Sequence, residues 1–242
     1  MSTEKRTLIW QIVAIVAAFA VLMIWLLTAD LTETERQTLD PATIWGYTLE
    51  HLKLTVISTV IVLIIAIPLG ILLTRPSLRR AAPLVRAIAN FGQAAPAIGV
   101  IVLLAFWLGF GARTAIVSLV IYAILPVLSN TIVGLQQVDQ RIVEAGRGIG
   151  MSLMAVLFKV ELPLAVPVML SGIRTALVLL VGTATLATFI NGGGLGILIT
   201  TGVNLNLNVV LITGSILVAL LALTIDWLGR VVEQVARPKG LS

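Results

Sequence analysis

Apolar residues in this chain come in long blocks rather than in alternation. Positions 8–29, 52–74, 88–110, 114–135, 166–190 and 209–228 are each twenty or more residues of nearly unbroken hydrophobic sequence. A helix needs about 20 such residues to cross the roughly 30 Å of bilayer hydrocarbon, so the pattern predicts six membrane-spanning helices and no strand. The first block is too long for the roughly 7–15 residues of a signal-peptide core and reads as a retained span. Between the blocks, 30–50 is polar and acidic, broken at Pro41, with a short surface helix expected at 43–49. A basic loop with Arg75, Arg79, Arg80 and Arg86 follows the second span. The third block contains "NFGQAAPAIG" and is expected to begin as a broken or interfacial helix, and "NGGGLG" after the fifth reads as a turn at the membrane edge.

Composition and charge sharpen this reading. Of 242 residues, 59% are hydrophobic and 11% charged, against roughly 45–50% and 25% in soluble domains. The chain is therefore an integral membrane protein, without room for a soluble catalytic domain. The net charge of +5 does not point to nucleic acid, because the bases sit in short clusters between spans. With the N-terminus inside, six spans place thirteen of the sixteen Lys and Arg inside, leaving Arg36, Lys53 and Arg113 outside. That asymmetry fits the positive-inside rule and predicts both termini in the cytoplasm. Absence of cysteine, a single histidine and two tyrosines leave no nucleophile–base constellation or metal cluster. No catalysis, metal or cofactor is expected of this chain.

One inside segment is built differently from a plain loop. Asp139 is placed to cap a short helix through Glu144 and Arg147, which Gly146, Gly148 and Gly150 weaken and end. Ser152 is placed to cap a second helix over 153–162, expected to stop where Pro163 removes a donor. An apolar cytoplasmic helix of this kind suits docking in a protein groove, although a headgroup-lying loop would have a similar composition. The spacing Glu144-Ala145-Gly146, three residues, Gly150, nine residues, Val160-Glu161-Leu162-Pro163 resembles the EAA loop of ABC importer permeases, E-A-A, three residues, G, nine residues, I-x-L-P. Gly146 and Val160 are mild departures. The resemblance implies a coupling helix within a loop at about 136–165, whose Glu144, Ala145, Gly146, Gly150, Leu162 and Pro163 contact a cytoplasmic ATPase subunit.

Further pieces, "HLKLTVIS", "IPLGILLTR", "YAILPVLSNTIVGL", "VELPLAVPVMLSGIRTA" and "GGGLG", extend the resemblance to permeases that import quaternary ammonium osmolytes such as glycine betaine, choline and carnitine. Gln93-Ala94-Ala95-Pro96 and Ser129 depart from that group, where a Gln-Thr-Ile-Pro run and an Arg are common. The implied protein is an all-α polytopic bundle of the plasma or inner membrane, with 1–50 as first helix and external loop, 51–228 as permease core and 229–242 as a basic tail. It implies an ATPase dimer holding ATP and Mg, a second permease, identical or paralogous, and an extracytoplasmic binding protein. Another small solute, such as an amino acid, is the alternative cargo, and an ion-coupled secondary transporter the alternative class.

Gln93, Asn130 and Thr131, within or beside spans, and Asn191 at the turn are candidates for the translocation path; interhelical hydrogen bonds are the competing role. Arg174 is expected to snorkel inward or to pair with an acid such as Glu161, and Asp226 with Arg230 to form a local i,i+4 pair. The five Trp lie mostly near span ends, so no aromatic cage for a quaternary amine is expected here.

Overall fold

The computed structural model describes residues 3–236. Its helices are α1 (Thr3–Thr28), α2 (Glu33–Thr38), α3 (Pro41–Thr74), α4 (Ala82–Ala94), α5 (Ala97–Leu108), α6 (Ala112–Gln136), α7 (Gln140–Gly148), α8 (Leu153–Val156), α9 (Leu162–Ala184), α10 (Gly196–Asn204) and α11 (Asn208–Ala236). No strand occurs among the described residues. Five helical segments are long and apolar enough to cross a membrane, and α4 with α5, bent by 95°, makes a sixth if the pair is one span.

Three helices differ from the sequence expectation, each for a local reason. The surface helix expected at 43–49 is the start of α3, which runs unbroken for 34 residues, about 51 Å at 1.5 Å per residue. Asp40 caps it by accepting from the N–H groups of Ala42 and Thr43, both at 3.1 Å, Pro41 occupies its first turn, and nothing between residues 49 and 52 breaks a helix. The preceding turn is fixed by α2, whose Thr32 and Glu35 form a reciprocal capping box. Hydrogen bonds from the Thr32 N–H and then its hydroxyl hold the Glu35 carboxyl below the ordinary carboxylate range.

The helix expected to stop at Pro163 continues instead. Leu157–Glu161 forms a π turn, in which the Leu162 N–H reaches back to the Leu157 carbonyl, and 153–190 is one apolar span. The wider turn absorbs the donor that proline lacks. Similarly, α11 extends through Ala236, so the expected tail is helical up to there; Arg237 and Lys239 lie outside the described residues.

The core lies where α6 packs between α3 and α9. Close approach depends on small residues: a methyl on Gly172 of α9 would lie 2.5 Å from the Asn130 Cβ and 2.7 Å from the Pro126 carbonyl oxygen of α6. Such tight backbone contact is how apolar helices gain packing energy in lipid, where burial from water is not available. At one end, Arg174 of α9 bonds Asp226 (3.1 Å) and Glu233 (3.0 Å) of α11, and Arg230 bonds Asp226 at 2.9 Å. Gln11 of α1 donates to the same Asp226 carboxylate, and the Trp227 indole donates to the Leu8 carbonyl. The Asp226–Arg230 pair is thus part of a network that ties α1, α9 and α11 together. Arg174 does not meet Glu161, because the two lie thirteen residues apart on one continuous helical run, about 20 Å along its axis.

Gly172→Ala should lower the apparent thermal midpoint of the detergent-solubilised chain, by the equivalent of about 1–3 kcal/mol of overpacking. Gly46→Ala, whose methyl meets nothing within 4 Å, serves as control and should not lower it.

Candidate coupling element and transport path

The predicted caps form as the residue types require. The Asp139 carboxylate accepts from the Arg141 N–H at 2.9 Å and starts α7; the Ser152 hydroxyl accepts from the Ala155 N–H at 3.2 Å and starts α8. Between them the chain turns through Gly150, whose φ of +89° lies in the left-handed region, with open space around it. Glycine is needed there for backbone conformation and not for room. Gly146 is the opposite case: a methyl on it would touch the Met151 sulfur at 3.4 Å, an ordinary contact, so this helix accepts either Gly or Ala.

α7 and α8 have one face seated and one free. Val143, Val156 and Leu157 are buried with Leu135, Val138, Ala165 and Met169 in a cluster joined by Ile67 and Ile71 of α3. The free side carries Glu144 and Ala145 together with Ile149 (81% exposed), Leu153 (68%) and Phe158 (60%). Leu162 packs against the seated cluster, while Pro163 is exposed in the first turn of α9. Of the six predicted contact residues, Glu144, Ala145 and Gly150 therefore lie on the exposed side, Gly146 and Leu162 support the element from beneath, and Pro163 shapes its exit. Glu161, buried at the close of the π turn, meets Arg75 at the end of α3.

The path candidates do not form one cluster. Thr131 is fully buried and returns its hydroxyl to the Val127 carbonyl at 2.7 Å; the Asn130 amide donates to the Pro126 carbonyl at 2.8 Å. Gln93 of α4 donates to the Tyr122 carbonyl at 3.3 Å. That carbonyl is the one Pro126 leaves without its i+4 donor, so Gln93 completes α6 from a neighbouring helix. The Tyr122 hydroxyl in turn donates to the Ala95 carbonyl, at the break between α4 and α5, where Pro96 prevents helix continuation.

Asn191 lies at the opposite end, in left-handed conformation at the close of a 3₁₀ turn over Thr185–Ile190. With Tyr47, Glu50, Lys53 and Gly193 it borders a pocket of ≈380 Å³. The Glu50 carboxylate accepts from the Gly194 N–H at 3.0 Å and so holds the glycine loop onto α3.

Arg75, Tyr122 and His51 were not singled out from the sequence. His51, fully buried, is 2.9 Å through Nε2 from the Val181 carbonyl. The Thr185 N–H bonds Gly182 as the helix tightens, leaving Val181 to accept from His51, which places the proton on Nε2. For Tyr122 a signal existed: it stands four residues before Pro126, the spacing that frees its carbonyl. No local pattern marks the partners of Arg75 or His51, which come from 86 and 130 residues away.

Comparison with known proteins agrees with this architecture. In solved structures the fold is similar to that of the methionine ABC transporter MetNI in an inward-facing conformation, with a TM-score of 0.72 at 24% identity, covering 86% of this chain and 100% of the other. In sequence the chain is 41% identical over 192 residues to the glycine betaine/carnitine/choline transport system permease protein OpuCB of Bacillus subtilis, covering 79% of this chain and 88% of that one. It is 43% identical over 184 residues to the osmoprotectant import permease protein OsmY of Salmonella typhimurium, covering 74% and 78%. Residues 66–238 match the family of binding-protein-dependent transport system inner membrane components, and this chain, with its bundle of apolar helices and its partly exposed α7–α8 element, belongs to that family as an ABC importer permease.

Proposed function

We propose that this permease imports a small quaternary ammonium osmoprotectant, such as glycine betaine or choline, delivered by an extracytoplasmic binding protein and driven by a cytoplasmic ATPase dimer. The observation that carries the mechanism is the α7–α8 element: apolar side chains exposed on a capped, glycine-turned scaffold that is seated on three spans. An exposed apolar face on a rigid element suits a groove in a partner. ATP and Mg are held by that ATPase, and ATP-driven closure beneath α7–α8 switches the bundle between outward- and inward-open forms. A second permease, identical or paralogous, supplies the other wall of the path.

Charge supports the orientation: the six-span reading of the sequence puts thirteen of sixteen bases in inside segments, as the positive-inside rule favours. In this reading both termini and α7–α8 face the cytoplasm and the Asn191 pocket faces outside. The names of the relatives support the cargo. Polar side chains inside the spans support hand-over of a solute selected elsewhere, because Gln93, Asn130 and Thr131 are engaged with backbone carbonyls. Selection then rests with the binding protein, where an aromatic cage can hold a quaternary nitrogen.

The chain has no cysteine, so single probes report topology directly. Thr34→Cys should label with an impermeant reagent in intact cells and Gln140→Cys only after lysis; the reverse pattern overturns the orientation.

Reconstituted with its ATPase and binding protein, the permease should accumulate labelled glycine betaine or choline only when ATP and the binding protein are both present. Uptake driven by a proton or sodium gradient without ATP would contradict the mechanism, and ATP-driven uptake restricted to solutes without a quaternary nitrogen would contradict the cargo.

Gly150→Leu forces a side chain into left-handed backbone, a strain of roughly 1–2 kcal/mol, and Glu144→Lys inverts an exposed charge on the docking face. Both variants should insert normally yet lose transport about tenfold, read as solute uptake per complex. Normal uptake by both variants, with the ATPase still bound, would remove α7–α8 from the coupling role.

A further inference from the structure

The docking element is joined to α3 by one charged contact, and its geometry is unlike that of a solvated surface pair. Glu161, the last residue of the π turn, is only 8% exposed. Its carboxylate receives the Arg75 guanidinium as a fork, Nη2 on Oε2 at 2.5 Å and Nη1 on Oε1 at 3.3 Å. The Arg75 Nε donates in addition to the Ile71 carbonyl at 3.3 Å, which fixes the guanidinium to the final turn of α3. Charge-assisted, two-pronged bonds of this kind constrain direction as well as distance. By contrast, Arg174 with Asp226 and Glu233 joins α9 to α11, and Arg230 with Asp226 lies within α11.

Two further observations say what such a contact does. The π turn over Leu157–Glu161 is a place in the 153–190 run where bending is easy, as is Pro167 in the α9 stretch beyond it. Beneath it, the seat of α7 and α8 is made of aliphatic contacts, which carry no directional bonds. On the other side of the pair, α3 runs as one helix from Pro41 to Thr74, with Pro68 inside it, and carries Glu50, which holds the glycine loop at the far pocket.

We propose that the Arg75–Glu161 pair is a positioning link that makes the docking element and α3 move as one body, so that a displacement of α7–α8 is carried along α3 to the opposite mouth instead of being absorbed by bending at the π turn. The link rests on the reading of α7–α8 as the ATPase docking element and adds to it the route by which docking reaches the spans. Neither residue touches solute or nucleotide.

The test uses the whole transporter in proteoliposomes, with ATP hydrolysis and solute accumulation measured together. Glu161→Gln and Arg75→Glu should each leave the ATPase bound and hydrolysing, while solute moved per ATP falls about fivefold or more, the scale of a lost coupling interaction. The reversed pair, Arg75→Glu with Glu161→Arg, should recover the ratio to within about twofold of the unaltered protein. A readout independent of charge comes from Arg75→Cys with Glu161→Cys, bridged by a bismaleimide: ends that never separate transport normally when bridged. Single variants with an unaltered solute-to-ATP ratio, or a bridged protein that hydrolyses ATP without transport, would overturn the link while leaving the docking reading intact. An unaltered permease that holds no ATPase at all would instead overturn the docking reading, and the link with it.

Discussion

Inside hydrocarbon, every backbone carbonyl and N–H needs a partner supplied by the protein itself. Three irregularities in this bundle meet that constraint through a side chain from another segment. Pro126 frees the Tyr122 carbonyl, and Gln93 reaches across from α4 to serve it. The tightening of α9 into a 3₁₀ turn frees the Val181 carbonyl, and His51 of α3 serves that one. The Gly194 N–H, exposed by the turn after α9, finds the Glu50 carboxylate. Breaks in helices are thus further points, beside the close packing of the core, at which α3, α4, α6 and α9 are tied to one another.

This use of polar side chains limits what remains for a solute. Hydroxyls of Thr55, Thr59, Ser118 and Thr131 all return to carbonyls four residues back on their own helices, presenting mainly methyl or methylene groups to neighbours. Asn130 does the same while packing against Gly172. Side chains whose polarity is spent on their own backbone offer only weak holds to a passing molecule, whereas Ser58 Oγ, Thr213 Oγ1 and His51 Nδ1 are buried without a partner among the described residues. Weak holds suit a conduit that must release on the far side what it accepts on the near side.

The α7–α8 element was legible in the sequence because its signals are local. Asp139 and Ser152 are capping residues at the right offsets, and Gly150 stands where a left-handed turn is needed, so the two helices form where those residues predict. The misreadings come from signals that are not local. Pro163 reads as a stop only if the preceding turn is α-helical, and a π turn removes that premise. The 43–49 segment looks separate from 52–74 because Glu50 and His51 are polar, yet both are turned toward partners on the loop and on α9 that no spacing rule reveals. Arg174 has a nearby acid in sequence, but a rigid helix keeps Glu161 from it and leaves it to Asp226 and Glu233.

These non-local pairings give the bundle its mechanical character. A helix of 34 residues held at its C-terminal end by Arg75 to Glu161, and in its N-terminal third by Glu50 to the glycine loop, is one member tied at two points, with Pro68 between them. Because helices bend more readily at π turns and prolines than within regular turns, motion in this fold is expected at Leu157–Glu161, at Ala95-Pro96 and at the internal Pro68, Pro126 and Pro167. Arg75 holds the last residue of the first, and the Tyr122 hydroxyl spans the second. Ties placed at soft points beside long helices are what the proposed transmission along α3 uses, because a displacement can pass from one end of a helix to the other only where the neighbouring bend points do not absorb it.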